Sequence, residues 1–412
     1  MAKFFRKKKF LTVLVLLVCI SIAFISCNRG KKEENKNKDL VMQVEIKDNH
    51  SLSILRAIID EYKKENKDVN IIINSSLGES IMNDGDKQEG DIIFTSRNKM
   101  IEMQNKGLLQ DVQSYHDKIK LNEKYYKVVS SYGRYLDKSY GISLIPYTLE
   151  VAYNKDALKK YNVNPPKTLG EAYEVMKKVN KESIKIPVLV TEDVDVNNVI
   201  AALIAGNTSN MYDIDNIYNS SKGKYLEKKE IQNMFNYLDS LAKQGVVTQS
   251  TFEMGNKASI NKLTEGEIPM LITISYYMKE LEKKNIGLIT SYAQSTSIKE
   301  NVPVIVNSLL CIPLKSKNAN EVGKFIEFVY GKKMQEKLAK QGFVTGNIEA
   351  NKVFKGNSAL VVKHLEESNE NSILFMYNLP EKIQKGFSNK VKGVLNKKHT
   401  GNEWKELIEE AG

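Results

Sequence analysis

The chain has 412 residues, a formal net charge of +11 and a hydrophobic fraction of 42%. Five of the positive charges fall in the first nine residues, and beyond them Lys and Glu are interspersed. No basic stripe with interleaved aromatics remains, which argues against a nucleic-acid partner, and the length suits two domains.

Taken in chain order, the first segment joins a basic cluster (Lys3, Arg6, Lys7, Lys8, Lys9) to an apolar run from Phe10 to Phe24. That run is short for a membrane span. Ser26 puts a small side chain before Cys27, an arrangement that resembles a bacterial lipoprotein signal. It implies a signal over residues 1–26, Cys27 as the lipidated first residue, and a membrane contact through that lipid. Residues 27–39 contain no apolar side chain after Cys27 and are expected to form a disordered tether. Cys19 belongs to the signal, so Cys311 is alone in the mature chain, with no disulfide partner.

The folded part is expected to begin at residue 40. Residues 40–46 read as a strand. Residues 51–66 place Leu52, Leu55, Ile59 and Tyr62 on one helical face. The β-branched run 69–73 and residues 91–94 read as strands, followed by a short helix that stops at Gly107. This order predicts crossovers and a largely parallel sheet. Pro165 and Pro166 precede Thr168 and Glu171, which have capping-box spacing. Residues 186–190 read as a strand, 231–242 as a helix ending before Gly245, and 269–274 as a strand. Residues 304–312 read as one buried strand holding an inert Cys311. Residues 320–341 read as helical with a break near Gly331, and Trp404 as an anchor in the last helix.

Three stretches carry a family resemblance. Tyr140-Gly141 through Pro146, Tyr147 and Glu150 runs into Tyr153-Asn154-Lys155-Asp156, then Pro165-Pro166-Lys167-Thr168. Gly90-Asp91-Ile92-Ile93-Phe94-Thr95-Ser96 leads to Gly107-Leu108-Leu109-Gln110-Asp111. Phe325-Ile326-Glu327-Phe328-Val329 leads to Gln335 and Gly342. Together they resemble the family 1 extracellular solute-binding proteins of bacterial ABC transporters, the maltose-binding-protein type. The resemblance implies an α/β fold, periplasmic-binding-protein-like, of two α/β lobes joined by a hinge with several chain crossings. The expected division is 40–147 with 305–345 for the first lobe, and 148–304 with 346–412 for the second. It implies a monomer that binds a small-molecule solute by hinge closure and docks on ABC permease subunits, with no catalysis and no cofactor.

Loops at the carboxyl ends of strands in open sheets supply candidate contacts. They are Asp48 and Asn49 after the first strand, Ser75 and Ser76 after the second, and Thr95, Ser96 and Arg97 after the third. Capping of the following helix is the competing role for Asp48 and Asn49. Tyr147 and Glu150 lie on the expected crossover, with packing against Pro146 the alternative for Tyr147. Tyr276 and Tyr277 follow the strand 269–274 and could offer a flat face to a sugar ring, or pack. Asn207 and Asn307 complete the set. Trp404 is the only tryptophan, and Arg97 and Glu150 leave room for a charged solute. A sugar or oligosaccharide is the first expectation. The alternatives are a polyamine, phosphonate or peptide, or a surface lipoprotein that has lost transport. An exported glycoside hydrolase ranks below these: no nucleophile elbow, zinc helix motif or phosphate loop is present, and His50, His116, His364 and His399 stand singly, with no metal site expected.

Overall fold

The computed structural model describes residues 38–75, 90–205, 211–294, 301–306 and 308–411. The signal, Cys27, Ser76, Asn207 and Asn307 lie outside the described residues. Alternating apolar runs and amphipathic segments build two sheets. The first takes β1 (Lys38–Val44), β2 (Val69–Asn74), β3 (Ile92–Thr95), β6 (Gly141–Ser143) and β13 (Leu309–Cys311), in the order β2-β1-β3-β13-β6. The second takes β7 (Tyr147–Asn154), β8 (Ile186–Leu189), β9 (Phe252–Met254), β10 (Met270–Ile274) and β11 (Ile286–Leu288), in the order β11-β7-β10-β8-β9. A small hairpin joins β4 (Arg134–Tyr135) to β5 (Lys138–Ser139).

Helices cover both sheets, giving the two-lobed α/β architecture that the resemblance implied. The helix Asn49–Glu65 buries Ile54, Leu55, Ile58, Ile59 and Tyr62. The Tyr62 ring meets Phe325 and Phe328 of the helix Ala319–Val329 edge-on, at 5.1 Å each. In the second lobe the helix Lys229–Lys243 presents Phe235 to Phe387 of the helix Glu381–Leu395, at 5.2 Å. Trp404 is buried and its Nε1 donates to the Tyr225 carbonyl at 2.7 Å.

Two expectations need correction. The sheets are mixed rather than largely parallel. β1 pairs in parallel with β2 and β3, and β8 with β9 and β10, but β13 runs antiparallel to β3 and β6, and β7 antiparallel to β10 and β11. The antiparallel pairs centre on β7 and β13, the strands that follow a crossing of the chain from one sheet to the other. The run 304–312 is also not one strand. Val304–Ile305 (β12) pairs with Tyr147 and Thr148 of β7, and Leu309–Cys311 pairs inside the first sheet. One apolar run therefore serves two sheets. All eight residues of β7 are buried, since it is covered along its length by β12, β10 and β11.

Local capping follows the sequence closely. Thr168 Oγ1 accepts from the Glu171 amide at 3.1 Å, while the Glu171 carboxylate accepts from the Lys167 amide at 2.6 Å. The return arm of the box thus reaches one residue further back than the usual geometry. Gly107 and Gly245 take the left-handed conformation (φ 68° and 71°) that ends their helices.

Candidate functional site

The loops that follow β1 and β3 in one lobe, and β8 and β10 in the other, meet at the seam between the lobes. Each leaves the carboxyl end of a strand in a parallel pair, where backbone donors and short polar side chains collect. A cleft of ≈ 510 Å³ opens there. Glu45, Lys47, Ser96 and Lys99 line it from the first lobe, and Glu192, Asp193 and Tyr377 from the second.

Direct bonds cross the seam. Asn49 Nδ2 donates to Glu192 Oε1 at 2.9 Å and its amide to Oε2 at 3.3 Å. His50 Nε2 lies 2.6 Å from the Tyr277 hydroxyl, and Ser53 Oγ 3.4 Å from the Tyr276 hydroxyl. Asp48 is buried and caps the helix Asn49–Glu65, accepting from the His50 and Ser51 amides. Burial pushes its carboxyl pKa up, but the hydrogen bonds from His50 and Ser51 outweigh burial and hold it below the usual carboxylate range.

Glu45, Glu192, Asp193 and Tyr377 escaped the sequence reading. Asp193 keeps surface open to the cleft, and the protein packed around it raises its pKa despite the hydrogen bond from Tyr377. The Tyr377 hydroxyl donates to Asp193 Oδ2 at 2.8 Å. Glu45 accepts from Thr95 Oγ1 at 3.2 Å, and burial raises its pKa as well. The signal was available: Thr191-Glu192-Asp193 follows a parallel strand just as Thr95-Ser96-Arg97 does.

The candidates sort by position. Asp48, Asn49, Ser96, Tyr276 and Tyr277 are at the seam. Tyr276 is half-buried, with its ring 4.5 Å from His50 and 5.4 Å from Phe343, and burial lifts the Tyr277 pKa to about 12. Thr95 is buried and reaches the cleft only through Glu45. Tyr147 packs edge-on against Tyr276 at 5.9 Å, fully buried. Ser75 lines a different groove, with Asn49, Leu52, Arg56 and Ile73, where the first helix meets the strands β1 and β2.

Arg97 and Glu150 are turned inward. The Arg97 guanidinium donates to Asn378 Oδ1 (2.5 Å), Asp215 Oδ2 (2.9 Å) and the carbonyls of Tyr132 (2.5 Å) and Arg134 (2.6 Å). It clamps one lobe to the other. Glu150 is buried, accepts from Thr148 Oγ1 at 2.6 Å, and meets His364 Nδ1 at 3.1 Å through both oxygens. Neither side chain reaches the cleft.

Comparison with known proteins adds three findings. Residues 48–336 match the family described as bacterial extracellular solute-binding protein. No curated protein is matched by sequence. Among solved structures, a probable secreted solute-binding lipoprotein from Streptomyces coelicolor superposes with a TM-score of 0.66 at 14% identity, covering 92% of this chain and 99% of that one. The sugar-binding protein MalE from Xanthomonas citri gives 0.65 at 14% identity, over 90% and 96%. An extracellular solute-binding protein from Staphylococcus aureus, in complex with maltose, gives 0.62 at 18% identity, over 91% and 96%. Among the described residues, no helix is long and apolar enough to cross a membrane.

Proposed function

The chain belongs to the bacterial extracellular solute-binding protein family, and on that premise we propose that it is a lipid-anchored receptor that captures a sugar or short oligosaccharide and hands it to an ABC permease. Family membership carries the coarser part, a non-catalytic solute-binding component of an ABC importer. The sugar reading rests on one observation: carboxylates from both lobes converge on one cleft, with the Tyr377 ring beside them. Carboxylates accept from hydroxyls, and tyrosine rings give flat apolar faces with a polar tip. The similar Xanthomonas structure, described as sugar-binding, and the Staphylococcus one, in complex with maltose, support it.

The mechanism follows from the seam. A solute that touches both lobes binds the closed form more tightly, and shifts the hinge equilibrium by that difference. A permease that recognises closure then needs no contact with the solute. Asp193 and Tyr377 would hold the solute from the second lobe, and Glu45, Asn49 and Ser96 from the first. The assignment of residues 40–147 with 305–345 to one lobe, and the remainder to the other, belongs to the same proposal.

A second reading has an observation of its own. Glu45, Glu102, Glu192, Asp193 and Glu381 face the cleft against Lys47 and Lys99. This excess of carboxylates suits a solute carrying positive charge, such as a polyamine.

A thermal-shift screen of maltose, longer oligosaccharides and spermidine separates the two. A ligand at one hundred times its Kd stabilises the native state by about 2.7 kcal/mol. A sugar-specific shift that Asp193→Asn and Tyr377→Phe each reduce at least tenfold in affinity is the expected result. A shift with spermidine alone selects the second reading, and sugar binding untouched by both substitutions removes the proposed cleft.

A further inference from the structure

Three side chains able to ligate a metal, two from one loop and one from a distant part of the chain, converge at the seam. Asp48 and His50 follow β1 in the first lobe, and Glu192 follows β8 in the second. One ligand atom from each lies within 4.8 Å of the other two. His50 Nδ1 is 2.9 Å from Asp48 Oδ1 and 3.7 Å from Glu192 Oε2. Donors on a tetrahedral zinc-sized ion stand about 2.0–2.2 Å from it, hence roughly 3.3–3.5 Å from one another. The two short sides of this triangle need only a few tenths of an ångström of adjustment.

The imidazole is already held for such a role. With Nδ1 bound to a cation, Nε2 keeps its proton and donates it to the Tyr277 oxygen 2.6 Å away, the outer hydrogen bond that orients ligating histidines. Tyr276 and Tyr277 box the ring edge-on, at 4.5 and 5.4 Å. Asp48 loses nothing as a cap, because each carboxylate oxygen has two lone pairs and the backbone amides take one on each. The hydrogen bond between Nδ1 and Asp48 Oδ1 marks the place the cation would take.

We propose that Asp48, His50 and Glu192 bind a divalent transition-metal cation across the cleft, with water completing its shell. An imidazole with two carboxylates suits zinc or its first-row neighbours, whereas calcium and magnesium favour oxygen-only sites. Two ligands lie on one lobe and one on the other, so the cation favours the closed form whatever solute the cleft carries.

Isothermal titration of Zn²⁺ into the metal-stripped mature chain tests this. One Zn²⁺ per chain is expected, with affinity reduced at least tenfold in His50→Ala and in Glu192→Gln. His399→Ala removes the histidine beside Asp239 and Glu403 and should leave binding unchanged. Circular dichroism checks that each variant is folded. Glu192 is exposed, so Glu192→Gln carries the test should His50→Ala fail to fold. The proposal is overturned by absent Zn²⁺ binding, by unchanged affinity in folded His50→Ala or in Glu192→Gln, by loss of binding in His399→Ala, or by Ca²⁺ or Mg²⁺ binding the site more tightly than Zn²⁺.

Discussion

At the scale of single residues, the charged groups that look most available in the sequence are the ones the fold consumes. Arg97 has its donors spread over four acceptors from two lobes, and Glu150 is closed off by Thr148, Tyr292 and His364. A buried charge persists only with partners of this kind. Burial pulls the His364 pKa down, but the Glu150 carboxylate pulls harder the other way, and the result lies above the ordinary 6.5. A histidine with a raised folded-state pKa contributes stability that is fully present below its unfolded pKa and is lost as pH rises through the folded one. Unfolding free energies of the wild type and His364→Gln should therefore differ more at pH 6 than at pH 9. A gap that stays constant or widens with pH, measured by denaturant titration at both values, would contradict a charged His364. The other groups facing this imidazole, Thr290 through its backbone and Glu367 by its charge, also favour the protonated form.

At the scale of elements, the small hairpin β4–β5 links local sterics to the lobe clamp. Gly133 lies between the two carbonyls that Arg97 grips, and a Cβ placed there would stand 1.7 Å from the Gly141 carbonyl oxygen. Its φ of −88° is ordinary, so the requirement for glycine is a matter of space alone. Gly133→Ala should cost about 1–3 kcal/mol, the usual range for overpacking, because the hairpin must move and carry the Arg97 acceptors with it. Chemical denaturation would read the loss, and an unchanged midpoint would show that the hairpin yields freely. Elements of this size also mark the limit of what the sequence displays. The helix Asn49–Glu65, the cap at Thr168 and the glycine stops at Gly107 and Gly245 are visible because their causes lie within one or two turns. The division of residues 304–311 between two sheets is not, because a run of Val, Ile and Leu satisfies either sheet and only the chain path decides. The same applies to Asp48, His50 and Glu192, whose meeting depends on how the lobes dock.

At the scale of the whole molecule, the question is what holds a two-lobed body beside a membrane. Among the described residues no helix is long and apolar enough to cross a membrane, and the anchor proposed above is Cys27. With Cys27 as that anchor, Cys27→Ala should shift the processed protein from the membrane fraction to the medium, as fractionation and immunoblotting would show. Processed Cys27→Ala protein that stays with membranes would mean another attachment. The docking of the lobes was legible in outline from the resemblance, yet its details rest on side chains that no local pattern singles out, such as Asn378 and Asp215 against Arg97.

The placement of β13 has a bearing on synthesis. It fills an interior place in the first sheet, between β3 and the edge strand β6, yet it is made about three-quarters of the way along the chain. Until the ribosome has delivered it, the amino-terminal portion has a gap between β3 and β6 and bare strand edges on either side that invite foreign pairing. With export as proposed above, a nascent polypeptide in that condition should stay unfolded for longer, which suits passage through a narrow translocation channel. It also leaves any product truncated before residue 309 a ready target for proteases and chaperones.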